Sequence, residues 1–550
     1  MSLFIVLLAQ RKKIMTHPKL IETLTQPKFY PHATEEKIVL IQTHISYILI
    51  AGDFVYKVKK PVDFGFLDFT SLDKRKYYCE EELRLNRRLA PNLYLEVVEI
   101  FDDGRGNVVL KSGKNVIEYA VKMKKIPQDG MLKEWFLRGK VDHSLMQSIA
   151  LKLAGFHKRA ATGGKIDQTG GVETIRRNHD ENFDQTEPYL NITIPVYQYR
   201  FIKAYIHDFM KHHEWLLFSR VKEHRIRDCH GDLHMEHICI VRDENPTGGY
   251  VNPESIIIFD CIEFNERFRY MDVAAEVAFL AMDLDYNGYC DYADSFVDAY
   301  VKHAEDPEIK ALLNFYRCYY AYVRGKVIGF RLQDKDIPQN ERNKAREEAS
   351  KYFNLAFNYA ARPEKPTLIL MSGLMGTGKS VLAKHLAPRL GAMTIQTDVV
   401  RKELLNIAAG EHHYEEFGKG IYSSAITQKT YEKALETALE KLKGGKSVII
   451  DASYRNREER LKALEAAKKV GADFFILECT CREDSIKKRL HMRMSDPAEP
   501  SDGRWEIFQT QKINFDPITE IPGRYHIVLD TSLPLEDCTL KTIEEIKYFI

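Results

Sequence analysis

The sequence predicts two folded parts joined by a linker: an α+β domain followed by an α/β domain built on a parallel sheet. Three observations support this prediction. The chain has 550 residues, enough for roughly two to four domains with a core each. Strand-like alternation marks residues 38–59 and the region from 95 to 124, and residues 130–225 follow with a helical pattern. From residue 367 onward strands and helices alternate, which is typical of a parallel sheet covered by helices.

The domain boundaries follow from changes in these patterns. We expect an N-terminal extension at 1–34, a first domain at 35–335, a helical connector and linker at 336–366, and a second domain at 367–550. The linker is placed at ARPEKP, residues 361–366, because two prolines interrupt the helical pattern there.

Composition narrows the class of protein. With 44% hydrophobic and 29% charged residues, the chain has the balance of ordinary globular domains, and the formal net charge of +1 argues against a globally basic nucleic-acid binder. Its 9 cysteines are scattered, which favours reduced thiols. The apolar stretch SLFIVLLA at 2–9 is too short to span a membrane. We therefore expect a cytoplasmic protein without membrane partners, whose start lies at Met1 or Met15.

The stretch CHGDLHMEHICIV at 229–241 is the most unusual part of the first domain. His230, His234 and His237 have the spacing of one helical face, which would suit zinc, but Gly231 interrupts a helix and a strand-like run follows. A buried core segment would have to supply partners for the charged Asp232. A catalytic loop is the third interpretation, and it needs further residues elsewhere in the chain.

Those residues are present in a consistent order. Lys57 lies on a predicted strand, Glu82 on the helix that follows it, and Asp260 at the end of a strand that follows Asp232. Phosphoryl transfer from ATP uses such a set: a loop carboxylate accepts a proton from the attacking hydroxyl, and a second carboxylate holds Mg²⁺. A strand lysine, paired with a helix glutamate, neutralises phosphate oxygens. Lys59 lies on the same strand face as Lys57 and is the rival for the lysine's role.

The segments HGDLHMEHI (230–238) and IIIFDCIEF (256–264) resemble the catalytic core of the aminoglycoside phosphotransferase-like kinases, relatives of the protein kinases. The resemblance covers about 35–335 and implies a bilobal protein-kinase-like fold, with Asp232 as base and Lys57 and Glu82 as nucleotide-binding residues. Asp260 and His237 would occupy the metal positions. The family has asparagine where this chain has His237, and imidazole is a poorer ligand than oxygen for Mg²⁺. An active kinase and a nucleotide-binding relic therefore both remain open.

The second domain carries a more specific signal. TLILMSGLMGTGKS at 367–380 reads as a buried strand, a glycine-rich turn and the start of a helix, and it satisfies G-x-x-x-x-G-K-[ST]. In such a P-loop the backbone N–H groups surround the phosphates, the lysine reaches the β- and γ-phosphates, and the hydroxyl holds Mg²⁺. The predicted nucleotide-binding residues are Gly373, Gly376, Thr377, Gly378, Lys379 and Ser380, with Ser380 also a metal ligand.

Acidic and basic residues follow the later strands of this domain. Asp398 and Arg401 come after one strand and Asp451 ends another, so they meet at the carboxyl edge of the sheet, where Asp451 is a candidate metal ligand. Arg489 and Arg493 lie on the helix after the next strand. This set resembles the small P-loop kinases of the polynucleotide-kinase and AAA_33 type. The resemblance implies Asp398 as base, Arg401 as the residue that binds the acceptor, and the two arginines as lid residues. Alternatively, Asp398 caps its helix and the arginines form a solvated face.

The sequence as a whole therefore predicts a Mg²⁺- and ATP-dependent phosphotransferase, in which the P-loop half transfers the γ-phosphate to a hydroxyl. A small-molecule acceptor is favoured over a nucleic-acid end because the net charge is close to zero. The alternative is an ATP-binding sensor in which the first domain is a ligand-binding pseudokinase that regulates the second.

Overall fold

The fold comes from a computed structural model of the chain. It describes residues 18–32, 37–110, 112–241, 252–333, 337–407, 420–493 and 505–548. The chain divides into two compact units, residues 1–360 and 361–550. Among the described residues, no helix combines the length and the apolar character that crossing a membrane requires.

The first unit begins with an antiparallel sheet. The alternating pattern at 38–59 forms its first three strands, and in the second and third of these the buried side chains belong mostly to hydrophobic residues. The strand order is β1-β2-β3-β6-β4-β5. The strands are β1 Val39–Gln42, β2 Ser46–Ala51, β3 Phe54–Lys59, β4 Tyr94–Asp102, β5 Val108–Leu110 and β6 Asn115–Lys124.

One long helix connects β3 to β4 and carries Glu82. This helix, α2 (Leu72–Asn86), begins where the Ser71 side chain accepts a hydrogen bond from the Lys74 N–H group, as a helix N-cap residue does. Its buried positions include Cys79, which packs with residues of β4 and β6. The helix is therefore fixed against the sheet, with Glu82 turned inward.

The remainder of the first unit is mostly helical, as the pattern from 130 predicted. Near the end of the 130–225 region, two successive helices, Val196–His212 and Glu214–Lys222, meet at His213. Two short antiparallel strand pairs, β7 with β10 and β8 with β9, frame the loop at 229–237. The elements are α1 Pro18–Leu24, α3 Leu132–Leu137, α4 His143–Arg159, α5 Lys165–Thr169, α6 Val172–Thr186, α7 Val196–His212, α8 Glu214–Lys222, β7 Ile226–Asp228, β8 Ile238–Ile240, β9 Ile256–Ile258, β10 Tyr270–Asp272, α9 Val273–Tyr286, α10 Cys290–Ala304 and α11 Ile309–Phe330.

A buried ion network holds these helices together. Asp272 caps α9 by accepting from the Ala274 N–H group at 2.8 Å, the structural role that its position before an apolar helix suggests. The Arg220 guanidinium donates to Asp272 at 2.8 and 2.9 Å and to Asp306 at 2.7 Å, and all three side chains are about 1% exposed. Arg220 therefore neutralises two carboxylates that burial would otherwise penalise.

The stretch predicted as a helical connector forms α12 (Gln339–Ala361), and it packs into the first unit. Its Tyr352 ring stacks on Tyr286 at a centroid distance of 3.7 Å, and its Ser350 hydroxyl donates to the Thr193 carbonyl. Buried aromatic residues at helical spacing explain this packing, because an exposed connector would leave them in water.

The second unit is the predicted α/β domain with a parallel sheet. Every strand pair is parallel, and the order is β12-β13-β11-β14-β15. The central strands are buried along their length, as a sheet with helices on both faces requires. The elements are β11 Thr367–Ser372, α13 Lys379–Leu390, β12 Ala392–Gln396, α14 Thr397–Leu404, α15 Ser424–Lys443, β13 Ser447–Asp451, α16 Arg457–Lys469, β14 Asp473–Thr480, α17 Glu483–Arg493, α18 Trp505–Ile513, β15 His526–Asp530 and α19 Leu535–Tyr548.

Candidate active sites

The glycine-rich turn of the second unit lies between β11 and α13. Gly373, Gly376 and Gly378 have φ of +128°, +75° and +85°, which L side chains rarely adopt. A Cβ atom on Gly373 would lie 2.4 Å from the Cys479 carbonyl oxygen, so the turn is also closely packed. The Lys379 ammonium donates to the Leu374 carbonyl at 2.8 Å, across the turn. This is the strand–loop–helix context that a P-loop needs.

Two oxygen ligands of the type that Mg²⁺ prefers meet beside this turn. The Ser380 side chain is hydrogen-bonded to the Asp451 carboxylate. Burial raises the pKa of Asp451, and the Ser380 hydrogen bond and the Lys379 charge oppose that rise. Hydroxyl and carboxylate oxygens fit Mg²⁺, so Ser380 and Asp451 are the residues that would hold it here.

Asp398 and Arg401 lie at the same edge of the sheet. Asp398 is in the first turn of α14, but Gln396 is the N-cap residue and makes no side-chain cap, so Asp398 does not cap the helix. Its carboxylate instead accepts from the Arg401 guanidinium at 2.6 Å. The Arg401 side chain is 7% exposed and lies over the Tyr422 ring at 4.7 Å. Its Nε atom has no hydrogen-bond partner within the described part of the chain.

Arg489 lies against the glycine-rich turn. It donates to Thr531 Oγ1 at 3.1 Å and to the Thr531 carbonyl at 2.7 Å, and its Nη1 atom is 3.3 Å from the position of a Cβ on Gly378. Thr531 in turn donates to the Thr377 carbonyl at 2.6 Å. Sequence analysis missed Thr531, although it directly follows β15 at the carboxyl edge where ligands bind. The side chain of Arg493 and the loop at 494–504 lie outside the described residues.

In the first unit, Lys57, Glu82 and Asp260 come together. Lys57 Nζ is 2.9 Å from Glu82 Oε1 and 2.8 Å from Asp260 Oδ1. Burial alone would raise the pKa of Asp260, but the Lys57 ammonium outweighs it and holds that pKa well below its usual range. Asp260 has a φ of +64°, and its N–H group donates to the Tyr94 hydroxyl. Asp260 therefore joins the segment after β9 to the antiparallel sheet, through Lys57 of β3 and Tyr94 of β4.

The rival lysine, Lys59, has different partners. It donates to Glu82 Oε2 at 2.7 Å and also contacts Glu263, and its side chain is fully buried. Lys59 does not take part in the Asp260 ion pair, which is made by Lys57. Glu263 is not among the residues predicted from the sequence. The signal that could have found it is the pair of lysines on one strand face, because two buried ammonium groups need more than one buried carboxylate as partner.

The 229–241 stretch begins as a loop, which ends in a short helical turn at Met235–His237, and β8 follows directly. Glu276 on α9 holds its backbone by accepting from the N–H groups of His230 and Gly231 at 2.8 and 2.7 Å. Asp232 has no exposed surface, and neither of its carboxylate oxygens has a hydrogen-bond partner among the described residues. Burial raises the pKa of Asp232. An ordinary core segment would not leave a carboxylate in this state.

His237 lies between Asp232, on the same loop, and Asp260, which follows β9. Its Nδ1 atom is 2.8 Å from the Asp232 carbonyl oxygen, and its Nε2 atom is 3.5 Å from Asp260 Oδ2. Burial, and after it His234, lower the pKa of His237 to about 3, so the ring is neutral near pH 7. Sequence analysis also missed Arg324, a buried residue of α11 whose charge lowers the pKa of Asp232 against the effect of burial.

Comparisons with known proteins agree with the geometry of the second unit. Residues 368–518 match the family model AAA_33, described as an AAA domain. The chain is 30% identical over 464 residues to uncharacterized protein Rv2004c of Mycobacterium tuberculosis and to uncharacterized protein Mb2027c of Mycobacterium bovis. The match covers 84% of this chain and 88% of each relative.

Similar solved structures cover about a third of the chain. A gluconokinase from Sinorhizobium meliloti 1021 is 20% identical, with 34% of this chain and 93% of that chain covered and a TM-score of 0.24. The Mycobacterium tuberculosis APS kinase CysC, in complex with AMPPNP and APS, is 18% identical, with 34% and 99% covered and a TM-score of 0.26.

Proposed function

We propose that this chain, which belongs to the same family as Rv2004c of Mycobacterium tuberculosis, is an ATP-dependent phosphotransferase whose P-loop half phosphorylates a hydroxyl group. One observation carries the proposal. The P-loop lysine, the Ser380–Asp451 pair and the Asp398–Arg401 pair all lie at the carboxyl edge of one parallel sheet. Nucleotide and acceptor sites meet at such edges.

In this proposal, each residue at the carboxyl edge of the sheet has a distinct role in the reaction. The backbone N–H groups of the turn and Lys379 bind the phosphates, and Arg489 lies where it can neutralise charge on them. Ser380 and Asp451 would hold Mg²⁺, which would neutralise phosphate charge when bound. Asp398 accepts the proton of the acceptor hydroxyl. The hydroxyl oxygen forms a bond to the γ-phosphorus, the bond to the β-phosphate oxygen breaks, and ADP leaves.

The contacts of Arg401 favour an acceptor substrate that carries an anionic group near the hydroxyl that is phosphorylated. Asp398 and the Tyr422 ring fix the guanidinium, while its Nε atom has no hydrogen-bond partner in the described ranges. A buried donor of this kind is suited to a carboxylate or phosphate oxygen. The net charge of +1 favours a small molecule over a nucleic-acid end.

A second candidate function concerns the first unit. The Lys57 bridge between Glu82 and Asp260, together with the buried Asp232 carboxylate, supports a second nucleotide-dependent phosphotransferase site of the aminoglycoside phosphotransferase-like kind. In this assignment Asp232 accepts the acceptor proton. The competing assignment is a pseudokinase that binds nucleotide and regulates the P-loop half. The two assignments predict different effects of an Asp232 substitution on ATP turnover.

The test is ATP turnover by the full chain, with and without a library of small hydroxyl compounds and oligonucleotides. We compare wild type with Lys379→Ala, Asp232→Asn and the double variant. Lys384→Ala on the same helix and Asp291→Asn are matched controls, because both side chains are exposed.

We expect Lys379→Ala to lower P-loop turnover on the order of a hundredfold or more, while both controls stay at the wild-type rate. If Asp232→Asn removes a separate, acceptor-dependent share of turnover, the first unit is a second phosphotransferase. If that variant changes nothing, the pseudokinase assignment is favoured. Full activity of the double variant would refute both assignments. A steep loss of affinity for oligonucleotides with salt would instead identify a nucleic-acid acceptor.

A further inference from the structure

A cavity of the first unit lies beside the loop that carries Asp232. Its walls include residues of α6, α11 and the segment 267–272, which ends in β10. The space open to the centres of water-sized atoms is about 50 Å³, whereas one buried water needs roughly 10–15 Å³ on this scale. The cavity is therefore large enough for one small organic molecule.

The walls of the cavity are largely aromatic. Tyr316, Tyr319 and Tyr320 have the i, i+3, i+4 spacing that places side chains on one face of a helix, and all three line the cavity from α11. Phe268 and Tyr270 line it from the segment 267–272. Aromatic side chains pack well against another ring, offset or edge to face, and an apolar lining with few polar groups is typical of small-molecule sites. The walls therefore favour a ligand that contains a ring.

The charged side chains of the lining already have partners inside the protein. Arg267 donates to Asn178 at 2.6 Å and to Glu181 at 3.1 Å. Asp272 forms an ion pair with Arg220 at 2.8 Å. A charged ligand would lose its water shell here and would gain no unpaired counter-charge from these side chains. The cavity is therefore suited to a neutral molecule.

The cavity is also lined by His179 and Tyr316, which are buried polar side chains. The Nε2 atom of His179 and the hydroxyl of Tyr316 have no hydrogen-bond partner in the part of the chain that the structure describes. Burial lowers the pKa of His179 to about 3, so its ring is neutral near pH 7. Burial raises the pKa of Tyr316 well above its usual range, so its hydroxyl keeps its proton. A ligand hydroxyl, which both donates and accepts, would satisfy groups of this kind.

The cavity reaches the loop at 229–237 through Gly231, which lines it and directly precedes Asp232. Gly231 has a φ of +91°, and a Cβ atom there would lie 2.8 Å from the Phe268 carbonyl oxygen. The loop and the segment 267–272 are therefore in close contact beside the cavity. A molecule in the cavity would lie against the backbone that positions Asp232.

We propose that this cavity is a binding site for a small, neutral aromatic molecule that carries a hydroxyl group. The ring packs against the tyrosines of α11, and the hydroxyl forms hydrogen bonds with Tyr316 and His179. This site goes beyond the proposed function, because its lining contains none of the residues assigned to nucleotide, metal or proton transfer.

The test is equilibrium binding of three probes to the full chain, followed by ligand-observed NMR. Phenol has the ring and the hydroxyl, toluene has a methyl group in place of the hydroxyl, and benzoate carries a negative charge. We expect phenol to bind with a Kd on the order of 1 mM and toluene to bind about fivefold more weakly or worse. A purely apolar cavity would prefer toluene, because phenol gives up hydrogen bonds to water. Benzoate should bind more weakly than phenol.

This comparison uses wild type alone, so it does not depend on whether a variant folds. The absence of phenol binding at about 10 mM would overturn the proposal. Toluene or benzoate binding as tightly as phenol would also overturn it. Because binding is measured directly, the result is independent of whether the first unit transfers phosphate.

Variants then locate the bound phenol. Tyr316→Phe keeps the shape of the side chain and removes its hydroxyl, so it should remove most of the preference for phenol over toluene and leave toluene binding unchanged. Tyr322→Phe is the matched control, because Tyr322 is a buried tyrosine of the same helix and lies outside the cavity lining. Ala275→Met places a larger side chain in the cavity and should abolish phenol binding.

Thermal denaturation identifies the variants that are folded. A folded Ala275→Met protein that binds phenol as wild type does would overturn the proposal. If Ala275→Met does not fold, the isosteric Tyr316→Phe decides the question. An unchanged preference for phenol in that variant would overturn the proposal, as would an equal loss of preference in Tyr322→Phe.

Discussion

Substitutions of the two lysines of β3 can separate ATP binding by the first unit from the stability of its fold. Lys57 pairs with Glu82 and Asp260 and keeps 13% of its side chain exposed, whereas Lys59 lies fully buried between Glu82 and Glu263. We therefore predict that Lys57→Met mainly weakens ATP binding by the first unit, and that Lys59→Met mainly destabilises its fold. The substitution is the same in both cases and the positions are two residues apart, so each variant is the control for the other.

The magnitudes follow from the contacts. Removal of Lys59 leaves Glu263 buried without a cation, and breaking such a pair costs about 3–5 kcal/mol, or a fall in Tm of roughly 5 °C or more. Removal of Lys57 leaves Glu82 paired with Lys59, and the Asp260 side chain is 22% exposed, so the stability cost is smaller. The lost contacts with phosphate oxygens should cost about 1.5–3 kcal/mol, or roughly 10- to 100-fold in Kd.

The assay uses the full chain with Lys379→Ala in every protein, so that the P-loop site does not contribute. ATP binding is measured by titration calorimetry and unfolding by thermal denaturation. We expect Lys57→Met to bind ATP more weakly while its Tm stays close to that of the parent. We expect Lys59→Met to have a lower Tm. Equal losses of affinity and of Tm in the two variants would refute the division of roles.

Three further predictions concern stability and the P-loop. Gly373→Ala should lower the ATP affinity of the P-loop half and cost about 1–3 kcal/mol in unfolding free energy, because its Cβ would lie 2.4 Å from the Cys479 carbonyl oxygen. An unchanged Kd for ATP in calorimetry would contradict the prediction that this close packing shapes the turn. Arg220→Met should cost about 3–5 kcal/mol in a urea titration, since the buried Asp272 loses its cation and the buried Asp306 keeps only the longer contact with Arg225, at 3.5 Å. A loss below about 1 kcal/mol would contradict this reading. Burial lowers the pKa of Lys326 to about 7. Between that value and its unfolded pKa of about 10.4 only the unfolded chain holds the proton, so wild-type stability should rise with pH across this window relative to Lys326→Met. A stability difference that stays constant from pH 6.5 to 9.5 would contradict that prediction.

The parallel sheet and the P-loop of the second unit could be predicted from local signals. The run LILM at 368–371, just before the glycines, is continuous and apolar, as a strand buried on both faces must be, and the glycines stand where φ is positive. The AAA-domain match over 368–518 confirms the P-loop assignment. Thr531 was missed because it is distant in sequence and reaches the turn only through the pairing of β15 with β14.

In the first unit, sequence patterns indicated the individual parts, and the bilobal protein-kinase-like fold and the roles of its residues stay predictions. Strand alternation does not say which of two same-face lysines meets Asp260, because that depends on how a loop more than 200 residues away packs on the sheet. Likewise, the histidine pattern at 230–237 left zinc, core and catalytic interpretations open.

The sequence by itself determined the elements, the order of the charged residues and the P-loop, since these depend on local periodicity and on the backbone freedom of glycine. The tertiary structure alone decided which charges pair, that Asp232 is buried without a hydrogen-bond partner among the described residues, and that His237 lies between Asp232 and Asp260. The physical reason is that electrostatic interactions act through space over a few ångströms, and the distances between side chains far apart in sequence exist only once the chain has folded.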